Sequence, residues 1–482
     1  MTTLIWDKNI EITPADIPGS IREIHFDIGF NQPIGPNVLP NHIKSIILGS
    51  DSEKSICWSG NSSLSEESIV LEFNHQIGPN VLPDSLESII FGREFNQPIV
   101  ADILPNSIKF IKFGVLFNQQ VGMGVLPDYL ESIVFGRSFN QPISIGDLPK
   151  SLESITFGIA FNQPIGTDVL PCSLKSIKFR YDFDQPIGAN VLPDSLKSIK
   201  FGIDFDQPID VGVLPEFLES IKFGTAFNQP IKPNVLPNSL KSIAFGHDFN
   251  QLIDVCLLPS SLEHIRFKRC FNQPINPNVL PNSLKSIKFG YDFNQPINPN
   301  VLPNFLESIK FGHDFNQPIS VNVLPSSLKS IKFGVTFNQY ISPNVLPEQL
   351  KYIDFGWTYN HSISAVYQLD YLEHLAIKNR VISEIDVEYL PSSLKFLSVY
   401  SDDVLLYLNS YPGRLYFAVI HANTKNSVDV TYPILHRSYG SSISHAKGYE
   451  IIGTETVNGN DYIKLINPEH YQIRSNAKSA RK

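Results

Sequence analysis

A fixed period of 22 residues constrains this chain more than any other feature. The dipeptide Leu-Pro occurs at residues 82–83 and then at every 22nd position through residues 346–347, with no insertion or deletion. The pair Phe-Asn or Phe-Asp keeps the same period from residues 73–74 to residues 337–338. Self-similarity at a period of this length is the signature of a stacked repeat architecture, so it decides the fold before any local pattern does.

Outside this block the spacing changes. Pro40 and Pro83 lie 43 residues apart, which predicts a coil near residues 41–61 that has lost one residue and most of its pattern. Pro347 and Pro391 lie 44 residues apart, which predicts two coils whose shared Leu-Pro has been lost. The repeats are therefore expected to continue on both sides of the regular block.

One repeat unit has the pattern of a short strand followed by turns. In SLKSIKF, residues 283–289, the alternation around Ile287 is typical of a strand with one face buried. Gly290 is expected to end the strand. The side chains predicted to point inward are Leu284, Ile287, Phe289, Phe293, Ile297, Val301 and Leu302. So few apolar side chains cannot offset the entropy of ordering one coil, so the coils must stabilise one another.

The core sequence FNQPI resembles the FNIP repeat family, and LPxSLxSIxF is similar to short bacterial leucine-rich repeats. FNIP repeats occur mostly in amoebae and in the large DNA viruses that infect them. The resemblance implies a mainly β, leucine-rich-repeat-like solenoid in the form of an arc. Its concave side would be a parallel sheet with one strand per 22-residue coil, over about 17 coils that are regular from residue 83 to residue 347.

The predicted organisation has four parts. Residues 1–20 form an N-terminal cap, residues 21–400 the solenoid, residues 401–470 a C-terminal cap or small β module, and residues 471–482 a basic flexible tail. Within the β module, LYFAVI (415–420) predicts a strand and ETVNGNDYIKL (455–465) predicts a hairpin. Many FNIP-repeat proteins resemble one another in carrying an N-terminal F-box. This chain departs from that plan, since its first coil is expected to begin almost at once.

The cellular setting is inferred from composition. Four cysteines without regular spacing favour unpaired thiols in a reduced compartment. No apolar run approaches the ~20 residues that a membrane-spanning helix needs. The charged residues Asp7, Lys8 and Glu11 occupy the place of a signal peptide's apolar segment. We expect a cytoplasmic protein, in the host cytoplasm if the chain is viral, that has no membrane contact and is a monomer.

The Asn of FNQPI is predicted to form a structural ladder, because a side-chain amide can satisfy backbone groups of its own coil and of the next. A row of ligand-binding amides is the alternative. The ladder comprises Asn96, Asn118, Asn140, Asn162, Asn228, Asn250, Asn272, Asn294, Asn316 and Asn338. The Phe residues of the same repeats are predicted to be core.

Function is expected on the outward strand positions, where a row of basic residues recurs between Ile and Phe. The candidate partner-binding residues on the concave face are Lys178, Lys200, Lys222, Arg266, Arg269, Lys288, Lys310, Lys332, Asp354 and Trp357. Three interpretations remain open for this face: a solvated polar surface, a protein-recognition surface, and a track for a phosphate backbone. Acidic residues between the lysines and a net charge of −9 weigh against nucleic acid.

No catalytic motif is present in the sequence. The twelve histidines form no metal-binding spacing, and no nucleophile elbow, phosphate-binding loop or dinucleotide fingerprint occurs. We expect no enzymatic activity, no cofactor and no metal. The predicted function is a scaffold that binds an unidentified protein partner along its concave face. The alternatives are a substrate receptor of a ubiquitin ligase whose F-box is on a separate chain, and a structural viral protein without a specific ligand.

Replacing Arg266 and Arg269 together with Ala should weaken partner capture without lowering the melting temperature, because both lie in a coil that departs from the repeat consensus. Affinity capture and thermal unfolding of the same variant test this. Unchanged capture would show that the coil has merely drifted.

Overall fold

The structure is a computed structural model, and it consists of two compact units, Met1–Phe249 and Asn250–Lys482. It describes residues 2–27, 29–49, 73–377, 384–386, 389–399, 405–407, 417–420, 432–433, 450–457 and 460–466. The predicted tail at residues 471–482 lies outside the described residues.

The first unit is a stack of parallel strands. Each strand pairs with the next one along the chain, so the order in the sheet is the order in the sequence. The strands are β1 (Thr3–Trp6), β2 (Glu23–Phe26), β3 (Ser45–Leu48), β4 (Ser88–Ile90), β5 (Phe110–Lys112), β6 (Ser132–Val134), β7 (Ser154–Thr156), β8 (Ser176–Lys178), β9 (Ser198–Lys200), β10 (Ser220–Lys222) and β11 (Ser242–Ala244). A short 3-10 helix spans Pro14–Asp16.

The second unit repeats this arrangement. Its strands are β12 (His264–Arg266), β13 (Ser286–Lys288), β14 (Ser308–Lys310), β15 (Ser330–Lys332), β16 (Tyr352–Asp354), β17 (His374–Ile377), β18 (Glu384–Asp386), β19 (Phe396–Val399), β20 (Leu405–Tyr407), β21 (Phe417–Ile420), β22 (Tyr432–Pro433), β23 (Glu450–Val457) and β24 (Asn460–Ile466). Strands β12 to β17, β19 and β21 pair in parallel, and β18 pairs with β20. A 3-10 helix spans Ser364–Val366.

Each coil buries the apolar residues that the repeat pattern predicts. In the coil that contains β13, all seven predicted inward side chains are at most 7% exposed. Coils are tied together by backbone hydrogen bonds, such as the one that Lys285 N donates to Glu263 O at 2.8 Å. The predicted fold class is therefore confirmed: the chain is a parallel β-solenoid of 22-residue coils, with about 16 turns.

The Phe side chains form two buried columns inside each unit. In the second unit, Phe271, Phe293 and Phe315 stack with ring centroids 6.1 Å apart, and each packs against a second Phe of its own coil. All three rings are at most 1% exposed. Burial of each ring contributes about 1.5–3 kcal/mol of hydrophobic stabilisation to its coil.

The two irregular proline spacings, of 43 and 44 residues, correspond to different arrangements of strands. Strand β3 pairs directly with β4, and Phe30 stacks on Phe73, so the prediction of a separate eroded coil near residues 41–61 is wrong. Strands β3 and β4 are therefore neighbours in the sheet although 43 residues separate Ser45 from Ser88, and residues 50–72 lie outside the described part of the chain. The 44-residue spacing does contain two coils, since β16, β17 and β19 follow one another at intervals of 22 residues.

In many coils, the residue just before the Val-Leu pair has a left-handed backbone conformation, with positive φ. Asn278 and Asn300 have φ of 67° there, and Gly212 has φ of 83°. Asn and Gly tolerate this conformation, which explains why they recur in this column. Cys256 occupies it with φ of 68°.

The ends of the chain add two features. At the N-terminus, β1 pairs in parallel with β2, and Trp6 is buried whereas Ile10 is 56% exposed. Near the C-terminus, β21 lies within the predicted strand at 415–420. Strands β23 and β24 pair antiparallel as the predicted hairpin, whose turn residues lie outside the described part of the chain.

The Gly that ends most strands is required by the neighbouring coil. A Cβ on Gly158 would lie 1.9 Å from the carbonyl oxygen of Gly136 in the preceding coil. A Cβ on Gly166, in the same coil, would have only an ordinary contact of 3.7 Å with Val169. Gly158 is therefore needed for the close approach of two backbones, whereas no close backbone approach depends on Gly166.

Gly158→Ala should lower the free energy of unfolding by ~1–3 kcal/mol, because the backbones of adjacent coils would have to separate. Gly166→Ala is the matched control and should change it by less than about 0.5 kcal/mol. Urea unfolding of both variants measures the difference, and equal effects would contradict the steric explanation.

Candidate binding face

The solvent-facing side of each sheet carries the predicted binding residues. We call it the strand face, and it consists of the first and third residues of each three-residue strand. In β13, Ser286 and Lys288 lie on the strand face on either side of buried Ile287. Because adjacent strands pair in parallel at intervals of one coil, equivalent residues stack at about 4.8 Å.

In the first unit, three predicted lysines follow one another on the strand face. Lys178 pairs in register with Lys200, and Lys200 with Lys222. Lys222 is exposed and the other two are partly buried. The next residue in the column is Ala244, so the run of cations ends there.

In the second unit, four predicted cations form what we call the basic strip: Arg266, Lys288, Lys310 and Lys332. They pair in register on β12 to β15. Arg266 is exposed and the three lysines are partly buried. Partial burial, followed by repulsion from Lys310 and Arg266, lowers the pKa of Lys288.

Asp354 does not lie on an accessible surface, so its prediction as a partner-binding residue is wrong. It is only 1% exposed. Its carboxylate forms an ion pair with the Lys332 ammonium at 2.5 Å, and the Tyr352 hydroxyl lies 3.5 Å away. The buried carboxylate therefore acts within the protein as a counter-ion to one end of the basic strip.

Arg269 and Trp357 lie in the turns that follow β12 and β16, beside the strand face rather than on it. The Arg269 guanidinium lies 5.8 Å from the centre of the Tyr291 ring, which stacks on His313 at 4.1 Å. Trp357 is 47% exposed. Exposed aromatic and Arg side chains of this kind are the usual anchors of protein interfaces.

A ladder of alternating Glu and Lys borders the strand face on the side where the strands begin. In the second unit, Lys285 pairs with Glu263 at 2.7 Å and Lys329 with Glu307 at 2.9 Å. In the first unit, the hydrogen bond from Lys241 lowers the pKa of Glu219. The sequence shows this alternation, but the pairing of each lysine with a neighbouring coil became clear only in the structure.

A row of serines lies beyond that ladder. Ser283 donates a hydrogen bond to Leu262 O at 2.7 Å, and Ser327 does so to Leu306 O at the same distance. Aromatic residues replace this serine in four described coils and are 53–69% exposed. They are Tyr129, Phe217, Phe305 and Tyr371. Sequence analysis missed them because the substitution is unremarkable until the position is known to face water.

An open groove of about 460 Å³ lies beside one of these aromatic residues in the second unit. Its walls include Phe305 and the ion pairs of Lys285 and Lys329 with their Glu partners. The groove therefore offers an apolar ring bordered by charges of both signs.

The Asn side chains stack as hydrogen-bond acceptors between coils. The Oδ1 atom of Asn294 accepts a hydrogen bond from the backbone N–H of Asn316 at 2.9 Å and from the side chain of Gln317 at 3.1 Å. Asp replaces Asn at two positions of this column. Asp184 Oδ1 accepts the same bonds from Asp206 N and Gln207 Nε2, and Asp206 Oδ1 accepts a hydrogen bond from Asn228 N. An acceptor oxygen is thus the group that each coil offers to the next, and Gln is a second partner that the sequence analysis missed.

The described ranges contain neither a metal-binding cluster nor a membrane-spanning helix. His, Cys, Asp and Glu side chains there form no group of three or more that could hold a metal ion. No helix formed by these residues is long and apolar enough to cross a membrane. The location of the protein in the cell stays a prediction.

These features define the class of the protein as a leucine-rich-repeat-like β-solenoid. The sequence matches the FNIP Repeat family over residues 9–51, 73–115, 117–159, 161–204, 205–248, 249–292, 293–336 and 337–366. These matches cover more than half of the chain, and the chain belongs to the FNIP repeat family.

Two solved structures align with this chain over most of its length. The crystal structure of CroV588, a circular leucine-rich-repeat protein of a giant virus, is 39% identical with a TM-score of 0.72. That alignment covers 84% of this chain and 60% of CroV588, so the chain spans about 60% of the length of that relative. The mouse RP105/MD-1 complex aligns at 13% identity and a TM-score of 0.45, over 84% of this chain and 80% of the other. No curated protein sequence matches this chain.

Replacing Asn294 with Ala should lower the free energy of unfolding by ~1–3 kcal/mol, because the N–H of Asn316 would lose its acceptor. Asn294→Asp keeps the oxygen and is the matched control, with an expected loss less than half as large. Urea unfolding monitored by circular dichroism compares the two variants. Equal losses of unfolding free energy in the two variants would mean that the amide nitrogen, and not the oxygen, stabilises the contact between coils.

Proposed function

We propose that this chain is a non-enzymatic interaction scaffold that binds another protein on its strand face. The observation that carries the proposal is the register of the sheet, which holds cationic side chains in unbroken rows on β8 to β10 and on β12 to β15. A row of side chains that have the same charge and a fixed spacing can recognise an extended surface of a partner. FNIP and leucine-rich repeats are generally folds of interaction scaffolds.

Exposed anchors beside the strand face support a protein partner. Arg269 packs on an exposed Tyr291 ring, and Trp357 is nearly half exposed. Aromatic and Arg side chains dominate the binding energy of protein interfaces, whereas a solvated polar face does not need them. The cations alone would contribute more to the rate of association and to specificity than to affinity.

The proposal is tested by affinity capture from cell lysate with quantitative mass spectrometry. Lys222→Glu should reduce recovery of the specific partner by about fivefold, because it reverses a charge on the strand face. Lys232→Glu is the matched control, since Lys232 lies in the turn of the same coil and pairs with Asp210. Recovery should be unchanged for this control.

Partner recovery that does not differ between the two variants would overturn binding on the strand face. Recovery of ubiquitin-ligase subunits as the specific partner would favour the substrate-receptor alternative. The absence of any specific partner would favour a structural role without a ligand.

A further inference from the structure

We propose that the basic strip of the second unit binds an extended acidic segment of the partner protein. This inference rests on the proposed function and names the chemistry of the partner at one part of the strand face. It uses the four cations Arg266, Lys288, Lys310 and Lys332 and the serine hydroxyls that share their strands.

Two adjacent columns of these coils carry contrasting patterns of charge. In the bordering ladder, Lys285 and Lys329 each alternate with a Glu from a neighbouring coil and pair with it within 3 Å. In the basic strip, the residue that follows each cation in the column is another cation until Asp354 is reached. The same coils thus neutralise one column by alternating charge and keep the next column uniform in sign.

A column of like charges has an energetic cost. Cationic side chains on strands about 4.8 Å apart repel one another, and partial burial, followed by repulsion from Lys310 and Arg266, lowers the pKa of Lys288. An anionic ligand lying along the strip would relieve the repulsion. Buried Asp354 provides such relief at the Lys332 end, which shows that a carboxylate fits beside these cations.

Hydroxyl groups lie on the same face as the cations. The strand-face positions beside the lysines are Ser286, Ser308 and Ser330, and the Ser286 hydroxyl is hydrogen-bonded to His264 Nδ1 at 2.8 Å. A carboxylate accepts hydrogen bonds from both an ammonium and a hydroxyl group. No carboxylate occupies a strand-face position on β12 to β15.

The dimensions favour one extended peptide. The four cations of the strip lie on adjacent strands about 4.8 Å apart, so the strip is about 14 Å long. This length corresponds to four or five residues of extended chain at about 3.3 Å each. The strip is one column wide, because the ladder on one side is neutralised by its own ion pairs and the turns that follow the strands carry Asp292 and Asp314. A single peptide chain fits along this column of cations, whereas a broad polyanion such as a nucleic acid would also meet the carboxylates of the turns.

The experiment uses the full chain and a fluorescein-labelled peptide of about eight glutamates, with a polyglutamine peptide of the same length as the neutral probe. Fluorescence anisotropy should show binding of the acidic peptide at about 25 mM salt and weaker binding at about 200 mM. The neutral peptide should not bind. An oligothymidine of equal charge is the competing ligand.

Two double variants with the same change in net charge provide the comparison. Lys288→Gln with Lys310→Gln should weaken acidic-peptide binding about tenfold, which corresponds to about 1.4 kcal/mol. Lys285→Gln with Lys329→Gln, in the bordering ladder, should weaken it less than twofold. Thermal unfolding confirms that both variants are folded.

Equal losses in the two variants would overturn the inference, because they would show an effect of overall charge alone. Tighter binding of the oligothymidine, or no binding of the acidic peptide at low salt, would also overturn it. These failures are distinct from failure of the proposed function. If the peptide does not bind but Lys222→Glu still reduces partner recovery, the scaffold function stands and only the acidic chemistry is rejected.

Discussion

The structure depends on contact between successive coils at a fixed register. Each coil donates and accepts backbone hydrogen bonds with its neighbours, as between Lys285 N and Glu263 O, and it buries its apolar side chains against theirs. Since one coil alone cannot offset its conformational entropy, these contacts determine whether the chain folds at all. The same contacts align chemically equivalent residues into columns. A binding surface therefore follows from the register that stabilises the core.

Much of the fold could be predicted because the period of 22 residues repeats one solution many times. The inward positions of the coil around Ile287 and the two Phe columns were found from the sequence alone. The direct pairing of β3 with β4 was missed, because the spacing of two prolines does not say whether the residues between them include another strand of the sheet. The left-handed turn at Asn300 also went unrecognised, since its role is set by backbone geometry.

The candidate site was less predictable for a physical reason. Sequence periodicity places a residue in a column but does not say what covers it. Asp354 belongs to the same column as Lys332, yet the side chains around it bury it and make it an internal counter-ion. Phe305 occupies a position where most coils have serine, and only its exposure shows that it differs from a core aromatic. Both cases depend on neighbours from other coils, which a single repeat cannot reveal.

The acceptor ladder has a consequence for the chemical ageing of the protein. Slow hydrolysis converts asparagine side chains to carboxylates, and in many proteins this removes an amide donor that the fold needs. Here Asp184 and Asp206 already perform the structural task with a carboxylate oxygen. Conversion of these Asn residues to Asp would add negative charge while leaving the contacts between coils in place, so such a molecule would change its electrostatics before it lost its shape.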